Sequence, residues 1–369
     1  MKTIHRLIYG EVLRSVGFVT LGFLLLFFFF DFVAEAQAVG RHAAQGYNLL
    51  HTLTYVSLLL PSHLYELMPI AVLIGTIFVM ARLAQSSEYT ILRTSGLGPV
   101  RALKTLLLLG LGFVVLTFAI GDYASPVADR NAQLLRARYT GRITVGQTGA
   151  WLKERQPYSQ FAVNVGELSP DGGLNHVRIF EFDNQGFLIS TVHADSATIA
   201  EDSDAWQLQQ VRRTEFMQRG AGSTQIEQLQ LPTLNWPNHI STEMVSAALL
   251  KPERMSTIDL FQYIRHLQSN AQAAQRYEIE FWKKVFYPLS CLVMVVLALP
   301  FAYLHFRSGG IATYVFGGVM AGISFFLLNN VFGYMGNLQN WQPWLTAALP
   351  GMIYTALSLT AFGWLVLRR

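Results

Sequence analysis

The stretch SGGIATYVFGGVMAGISFFLLNNVFGYMGNLQNWQPWLTAALPGMIYTALSLTAFGWLVL, from Ser308 to Leu367, decides the fold because it contains no Asp, Glu, Lys, Arg or His. A helix that crosses a lipid bilayer needs about 20 mostly apolar residues. Two such helices fit here, Ile311 to Phe332 and Trp344 to Leu367, separated by the polar residues from Gly336 to Asn340. The sequence therefore predicts a membrane-spanning protein.

Four further apolar segments precede that stretch and are also long enough to cross a membrane. They are Val12 to Val33, Leu64 to Ala81, Leu106 to Gly121 and Val285 to Leu304. Together with the last two they predict six transmembrane helices in two groups of three. The first segment is too long for a cleaved signal peptide, so we expect it to remain as a permanent helix.

The composition disfavours several functional classes. The chain has 369 residues, of which 52% are hydrophobic and 14% charged, and its mean hydropathy is +0.32. A soluble domain usually carries about 25% charged residues. A soluble enzyme, a disordered chain and a nucleic-acid binder are therefore disfavoured, and the net charge of +4 fits basic loops of a membrane protein instead.

Lys and Arg residues near the span ends predict the orientation, because the cytoplasmic loops of membrane proteins are enriched in both. With the N-terminus inside, the cytoplasmic set is Lys2, Arg6, Arg14, Arg82, Arg93, Arg101, Lys104, Arg307, Arg368 and Arg369. The opposing short loops hold Arg41, Lys283 and Lys284. We therefore expect both termini in the cytoplasm and the long segment between spans three and four outside it.

The long external segment is polar, and short alternating runs recur in it at the intervals of a β-sandwich or open barrel. The candidate strands are Ile143 to Lys153, Gln160 to Leu168, His176 to Phe182, Phe187 to Ala194, Ala205 to Arg212 and Thr224 to Leu231. Between them lie clusters of Gly, Pro, Asp, Asn and Ser, which are typical of turns. The sequence thus predicts an all-β domain inserted between the two groups of helices.

Helical stalks are expected at both ends of the β region, at Ala128 to Tyr139 and at Ile258 to Phe281. Ser256 is placed to cap the second stalk together with Asp259. The predicted domains are then residues 1–124 with spans one to three, residues 125–282 with the β region and its stalks, and residues 283–369 with spans four to six.

The cytoplasmic loop 82–99 predicts a short helix beneath the membrane. Ser86 or Ser87 can cap it, the carboxylate of Glu88 suits its N-terminus, and glycines and a proline end it. Three side chains are expected on its exposed face: Glu88, Tyr89 and Arg93. The helix is either an ordinary amphipathic connector or a coupling helix that docks into a groove on a cytoplasmic motor.

Sequence motifs of catalysis are absent from the chain. It has no P-loop, no H-E-x-x-H, no C-x-x-C and no G-x-S-x-G. We therefore expect a transport subunit with no catalytic residue and no metal site. The alternatives are a membrane-embedded enzyme acting on lipid, which should place reactive side chains inside the spans, and a sensor with a ligand-binding β domain.

Two acidic residues, Asp31 and Glu35, lie four apart near the outer end of the first span. This spacing places both on one helix face. They form either a proton site within the membrane or, as the position near the span end favours, carboxylates solvated at the interface.

The six spans and the inserted β domain resemble the LptF/LptG permeases of lipopolysaccharide export over nearly the whole chain, and the details are closer to the LptG branch than to the LptF branch. Several motifs carry the resemblance: Tyr65 to Pro69, Ser86 to Glu88, Arg93 to Gly96, Ile120 to Pro126, Arg276 to Leu289, Ala298 to Phe301 and Arg307 to Gly310.

The resemblance implies a permease of the Gram-negative inner membrane. In that family one LptF and one LptG form a cavity that lipopolysaccharide enters laterally near spans one and five. A dimer of the cytoplasmic ATPase LptB closes the cavity, and the lipid passes to the β-jellyroll domains of the permease, LptC and LptA. The β region here would be such a jellyroll. ATP and magnesium would be bound by LptB, so this chain itself needs no cofactor.

The resemblance also implies residue roles. Glu88 matches the family's acidic contact to LptB, with Ser87, Tyr89 and Arg93 beside it. Substrate contact is implied for Arg136, because it matches a family position implicated in that contact. It is implied for Arg130 and Arg138 by location only. The alternative for all three is that they are solvated stalk residues. Related LptG chains carry lysines where this chain has Asp31 and Glu35, so Arg41 or the partner subunit would have to supply positive charge there. Four phenylalanines either line the cavity or its gate or face lipid or neighbouring helices: Phe27, Phe30, Phe316 and Phe325.

Overall fold

The structure is a computed structural model, and it describes residues 2–42, 46–140, 149–169, 173–199, 205–218, 224–240, 244–245, 252–270, 272–303 and 311–364. The chain forms two compact units. The first consists of Met1–Gln37, Val56–Asp129 and Glu278–Arg369, and the second of Ala38–Tyr55 and Arg130–Tyr277.

Ten α-helices lie in the described ranges. They are α1 (Lys2–His42), α2 (Leu49–Gln85), α3 (Glu88–Thr94), α4 (Pro99–Ala119), α5 (Ser125–Thr140), α6 (Thr257–Ser269), α7 (Gln275–Phe286), α8 (Ser290–Ala298), α9 (Ile311–Leu338) and α10 (Pro343–Phe362). A π-helical turn, Ile120–Ala124, joins α4 to α5, and 3-10 turns occur at Pro252–Arg254 and Leu299–Tyr303.

The predicted transmembrane helices are present. Within the described ranges, five stretches are long and apolar enough to cross a membrane: His5–Gln37, Leu49–Gln85, Pro99–Arg136, Ala312–Leu338 and Pro343–Phe362. A sixth is added if Gln275–Phe286 and Ser290–Tyr303, which are bent by 46° at their junction, count as one span. The predicted fourth span is therefore broken rather than straight, and the break contains Pro288, which cannot donate a backbone hydrogen bond.

Close helix contacts in the first unit depend on glycine. A Cβ added at Gly318 of α9 would lie 2.6 Å from Ile77 of α2, and one added at Gly322 would lie 3.0 Å from Ile70. Both glycines therefore face α2, one turn apart, where a larger side chain would clash. This is the small-residue spacing that lets membrane helices approach each other closely.

The second unit contains a six-stranded antiparallel sheet. Its strands are β1 (Ala150–Arg155), β2 (Gln160–Leu168), β3 (Leu174–Phe182), β4 (Leu188–Ile199), β5 (Ala205–Gln218) and β6 (Thr224–Pro237), and they pair in sequence order. The described strands thus form a meander. The predicted fold class, membrane helices with an inserted β domain, is confirmed; the domain boundaries at 124/125 and 282/283 stay a prediction.

One face of the sheet is buried, and alternation along the strands produces that face. In β1, Leu152 and Glu154 are buried while Trp151 and Lys153 are exposed. Glu154 is 4% exposed and accepts a hydrogen bond from the backbone N–H of His239 at 3.2 Å. Burial raises the pKa of the Glu154 carboxyl, because the charged form loses its hydration.

Three sequence expectations concern the second stalk and the first strand of this unit. The capping box is confirmed: Asp259 N donates to Ser256 Oγ at 3.1 Å and Ser256 N donates to Asp259 Oδ2 at 3.2 Å. The second stalk, however, is two helices, α6 and α7, because Asn270 ends α6 by donating from its Nδ2 to the carbonyl of His266 at 3.0 Å. The start of the first predicted strand, at 143–148, lies outside the described residues.

Candidate functional site

Four side chains form a ladder between the start of α2 and the end of α5. The guanidinium of Arg136 lies over the ring of Tyr55, 5.5 Å from its centre, and Arg136 Nη1 is 3.5 Å from the Tyr55 hydroxyl. Next to this pair, Tyr139 Oη and His51 Nε2 are hydrogen-bonded at 2.8 Å. We call Arg136, Tyr55, His51 and Tyr139 the basic–aromatic ladder.

The spacing along each helix explains the ladder. His51 and Tyr55 are four apart on α2, and Arg136 and Tyr139 are three apart on α5, so each pair lies on one helix face. Asn48 fixes the start of α2: its Oδ1 accepts from the His51 backbone N–H at 3.1 Å, and its own backbone N–H donates to His51 Nδ1 at 3.3 Å. Because Nδ1 accepts, Nε2 carries the proton and donates to Tyr139.

Binding of an anion is the chemistry that the ladder offers. Arg136 is exposed although Tyr55 holds it, and a guanidinium matches carboxylate and phosphate oxygens in a bidentate geometry. Among the described residues, no three His, Cys, Asp or Glu side chains are arranged to hold a metal ion.

The other predicted substrate arginines are not part of the ladder. Arg130 is exposed on α5, but six residues separate it from Arg136, which places the two roughly 120° apart around the helix. Arg41 and Arg138 belong to α1 and α5, and their side chains lie outside the described part of the chain.

The predicted short helix of the cytoplasmic loop is α3, and its exposed face differs from the prediction. Glu88 and Arg93 are exposed. Tyr89 is only 4% exposed, and its ring packs edge-on against Tyr303 at 5.1 Å, so its predicted exposure is wrong. The exposed apolar residue is instead Ile91, at 63%.

The ends of α3 are set by backbone geometry. Ser87 occupies the N-cap position but adopts a left-handed conformation, with φ 59°, and makes no side-chain cap, so the predicted hydroxyl cap is wrong. The C-terminus is a Schellman motif: Leu97 N donates to Leu92 O at 3.0 Å and Gly96 N donates to Arg93 O at 3.1 Å, with Gly96 at φ 102°. A glycine is required there because side chains rarely tolerate that conformation.

The acidic pair at the outer end of α1 is engaged within the protein. Asp31 Oδ2 lies 2.6 Å from His63 Nε2 of α2, and the His63 ring lies 4.8 Å from the ring of Phe27. Glu35 is 8% exposed and also interacts within the chain. The expectation that both carboxylates are simply solvated is therefore wrong, since α1 and α2 enclose the charge of Asp31 against an imidazole.

The four predicted cavity phenylalanines have different environments. Phe30 is 60% and Phe316 63% exposed, so both present large apolar surfaces. Phe27 is half-buried against His63. Phe325 is 1% exposed and packs edge-on against Tyr354 at 5.1 Å, so in this structure it fills the helix core and lines no surface.

The match to a protein-family model decides which family contains this arrangement. The model of the lipopolysaccharide export system permease LptF/LptG matches residues 6–367, which includes both groups of spans, the sheet, α3 and the ladder. The chain belongs to the LptF/LptG family.

Two curated members of the LptF/LptG family are similar to the chain over most of their length. The lipopolysaccharide export system permease protein LptG of Escherichia coli K12 is 28% identical over 332 residues, which cover 89% of each chain. The protein of the same name from Haemophilus influenzae Rd is 26% identical over 371 residues, covering 100% of this chain and 99% of its own.

This LptF/LptG family member also has a buried polar contact beside the bend of its fourth span. Lys284 is 7% exposed, its Nζ donates to the carbonyl of Gly121 at 2.9 Å, and it lies 5.8 Å from the ring centre of Tyr65. The carbonyl belongs to the π-helical turn, whose irregular backbone leaves it available to a side-chain donor. The sequence placed Lys284 in a short external loop and missed this contact.

Several functional candidates of this family member were not found from the sequence. Tyr55, His51, Tyr139 and His63 take part in the contacts described above, yet they are scattered tyrosines and histidines in the sequence. The i, i+4 spacing of His51 and Tyr55, which precede the predicted span Leu64 to Ala81, was the one available signal. Ile91 was missed because a helix of seven residues is too short for its apolar period to identify a face.

Proposed function

We propose that the chain is the LptG-type permease subunit of an ABC transporter that extracts lipopolysaccharide from the outer leaflet of the Gram-negative inner membrane. The observation that carries the proposal is the family match over residues 6–367, which extends across both helix groups and the inserted sheet. The chain pairs with LptF, passes its substrate to LptC and LptA, and depends on an LptB dimer for ATP and magnesium binding. It is not itself an enzyme.

The distribution of Lys and Arg supports the orientation proposed here. Both termini and α3 lie in the cytoplasm, and the sheet lies in the periplasm, because basic residues concentrate in the loops that share a side with the termini. In this orientation α3 is on the side of the ATPase and the basic–aromatic ladder is on the side of the outer leaflet.

Arg136 is proposed to contact a phosphate of the lipid A part of lipopolysaccharide. The support is its exposure together with the Tyr55 ring beneath it, which restricts the guanidinium without burying its charge. Arg130, Arg138 and Arg41 are proposed to contact the same phosphates by location alone. The pairing of Asp31 with His63 directs that carboxylate into the protein and so weakens its repulsion of phosphate.

The surface of α3 is proposed as the contact to LptB. Glu88 and Arg93 supply exposed charges, and Ile91 supplies an exposed apolar side chain about one turn from Glu88. Tyr89 acts from within, because its packing against Tyr303 fixes α3 to the membrane helices. Ser87 sets the angle at which α3 leaves α2.

Acyl chains of the substrate are proposed to lie against α1 and α9. Phe30 and Phe316 provide the exposed aromatic surface, with Phe27 at its half-buried edge. Apolar side chains suit acyl chains because their contact excludes water from both surfaces.

The test is affinity purification of the tagged full-length chain from its native membrane in mild detergent, followed by mass spectrometry of copurifying proteins and lipids. We expect an ABC-type ATPase, a second six-span permease and lipopolysaccharide. Recovery of the chain alone from membranes that contain the other components would contradict the proposal and favour a lipid-modifying enzyme or a sensor.

A second measurement separates transport from mere association. The complex is reconstituted in proteoliposomes, and ATP-dependent release of lipopolysaccharide to soluble LptA is followed. The matched variants are Arg136→Gln, which should reduce release, and Arg265→Gln, which removes an exposed arginine of α6 and should not. Equal release by both variants would remove Arg136 from the substrate path.

A further inference from the structure

Three basic side chains form a row across the exposed face of the sheet. Arg178 of β3 is directly opposite His193 of β4, and His193 is directly opposite Arg212 of β5. All three are exposed. Neighbouring strands are about 4.8 Å apart, so the two guanidinium groups leave the sheet roughly 10 Å apart with the imidazole between them. We call Arg178, His193 and Arg212 the basic row.

The basic row opposes the stability of the sheet. The guanidinium charges of Arg178 and Arg212 repel each other across His193, and no member of the row has an acidic partner within salt-bridge distance among the residues that the structure describes. Asp195, two residues along β4 from His193, is the acidic side chain that shares this exposed face. Desolvation is the main cause that lowers the pKa of His193, and the charges of Arg178 and then Arg212 lower it further.

An aromatic platform lies beside the basic row. Trp151 of β1 and Phe180 of β3 stack with ring centres 5.9 Å apart and planes 20° apart. Trp151 is 50% exposed. Phe180 is two residues along the strand from Arg178, so both project from the same face. Lys153 is also exposed on this side and stands opposite Ala162, as does Phe180.

We propose that this face binds the phosphorylated saccharide part of the lipopolysaccharide that the chain exports. The identity of the saccharide rests on the proposed function, whereas the site itself rests on the register and exposure of these side chains. Phosphate groups match the two guanidinium groups of the basic row, which form charge-assisted hydrogen bonds. The C–H face of a pyranose ring packs against the negatively charged face of Trp151 and Phe180.

A saccharide suits this face better than an acyl chain or an acidic peptide does. The surface combines flat aromatic area with separated cations, and it lies opposite the apolar, buried face of the sheet. An acyl chain would gain nothing from the basic row, and an acidic peptide would make little use of the stacked rings. The proposal therefore assigns the two faces of the sheet to different chemistry.

The experiment uses the full-length chain in its detergent-solubilised complex and a lipid-free, phosphorylated oligosaccharide obtained by deacylating lipopolysaccharide. Binding is measured by calorimetry with the phosphorylated and the enzymatically dephosphorylated probe. Poly-glutamate serves as a test of unspecific charge attraction. The variants are the double substitution Arg178→Gln with Arg212→Gln, the single substitution Trp151→Ala, and Arg265→Gln as an exposed-arginine control on α6.

We expect the double variant to bind the phosphorylated probe about tenfold more weakly than the parent does, because two exposed charge contacts are lost. The double variant should also bind the phosphorylated probe no more tightly than the dephosphorylated probe. Trp151→Ala should weaken both probes, and Arg265→Gln should weaken neither. The double variant should unfold at the same temperature as the parent or higher, since it removes like-charge repulsion; this verifies that lost binding is not lost folding.

Two results would overturn the proposal. The first is equal binding of the phosphorylated probe by the parent and the double variant, or equal affinity for poly-glutamate. The second is no binding at all by the parent. If the complex still releases lipopolysaccharide with ATP, only the saccharide site fails; if release is also absent, the proposed function fails with it.

Discussion

The contact between Tyr55 and Arg136 allows a quantitative test of the ladder. The guanidinium lies 5.5 Å from the ring centre, and Nη1 is 3.5 Å from the hydroxyl, a distance too long for a strong hydrogen bond. A cation–π contact at an exposed site contributes about 0.5–1 kcal/mol, which corresponds to roughly a two- to fivefold change in Kd. Tyr55→Ala should therefore weaken lipopolysaccharide binding by that factor.

The assay is the Kd of the reconstituted complex for fluorescent lipopolysaccharide, measured for single and double variants. Tyr55→Phe is the matched control, because it keeps the ring face and removes only the distant hydroxyl, so its Kd should equal that of the parent. In the Arg136→Gln background Tyr55→Ala should have no further effect, since the group that the ring orients is already gone.

Two outcomes would refute this reasoning. A loss in Tyr55→Phe as large as that in Tyr55→Ala would place the energy in the hydroxyl rather than the ring. An undiminished effect of Tyr55→Ala in the Arg136→Gln background would mean that Tyr55 acts on helix packing or on the substrate directly and not through Arg136.

Three further predictions concern α3, the bent span and the sheet. Glu88→Ala should weaken LptB binding about two- to fivefold in pull-down titrations without reducing membrane insertion, because it removes an exposed charge. Lys284→Met should lower stability to SDS unfolding by about 1.5–3 kcal/mol, since the carbonyl of Gly121 loses a charged donor. Glu154→Gln should raise the thermal unfolding midpoint at neutral pH, because it removes a buried charge. The pKa of Glu154 is raised in the folded state. The free energy of unfolding therefore falls as the pH rises from the unfolded-state pKa of about 4.3 through the folded-state pKa.

Each of these changes has an exposed counterpart that isolates its cause. Thr90→Ala alters an exposed side chain of α3 and should leave LptB binding intact. Lys153→Met removes an exposed lysine of β1 and should leave SDS unfolding unchanged. Gln228→Ala alters an exposed side chain of β6 and should leave the thermal unfolding midpoint unchanged. If a control variant changed the measured quantity as much as its test variant did, the corresponding explanation would be contradicted.

The helices and strands were largely predictable from sequence because their signals are local. Absence of charge identified the spans, and alternation separated by turn residues identified all six strands of the sheet. The bend of the fourth span was not predictable from its proline alone. Pro61 and Pro69 lie inside the continuous helix α2, whereas Pro288 lies in the break between α7 and α8. The surroundings of Pro288 include the contact from Lys284 to Gly121, which joins residues that are far apart in the sequence. Such a contact cannot be predicted from a local sequence pattern.

The candidate site was predictable only in part, for the same reason. The exposure of Glu88 and Arg93 follows from their charge on a short loop helix. The burial of Tyr89 depends on Tyr303, which is far away in the sequence and meets it only in the folded protein. The sequence predicts a solvated Asp31 because its partner, His63, belongs to another helix and no local pattern links the two.

The strand order of the sheet has a consequence for biogenesis. Among the described strands, each one after β1 pairs with the strand synthesised just before it, so each hairpin forms from neighbouring residues and none of these pairings waits for a distant segment. As the chain emerges from the translocon, the sheet can grow strand by strand while the last three spans are still being made. β6 is the last of the described strands to be synthesised and forms one edge of the sheet, and its residues 225–230 are all exposed. Such an edge invites pairing with other chains, so β6 is a strand at which the unfinished chain can mispair.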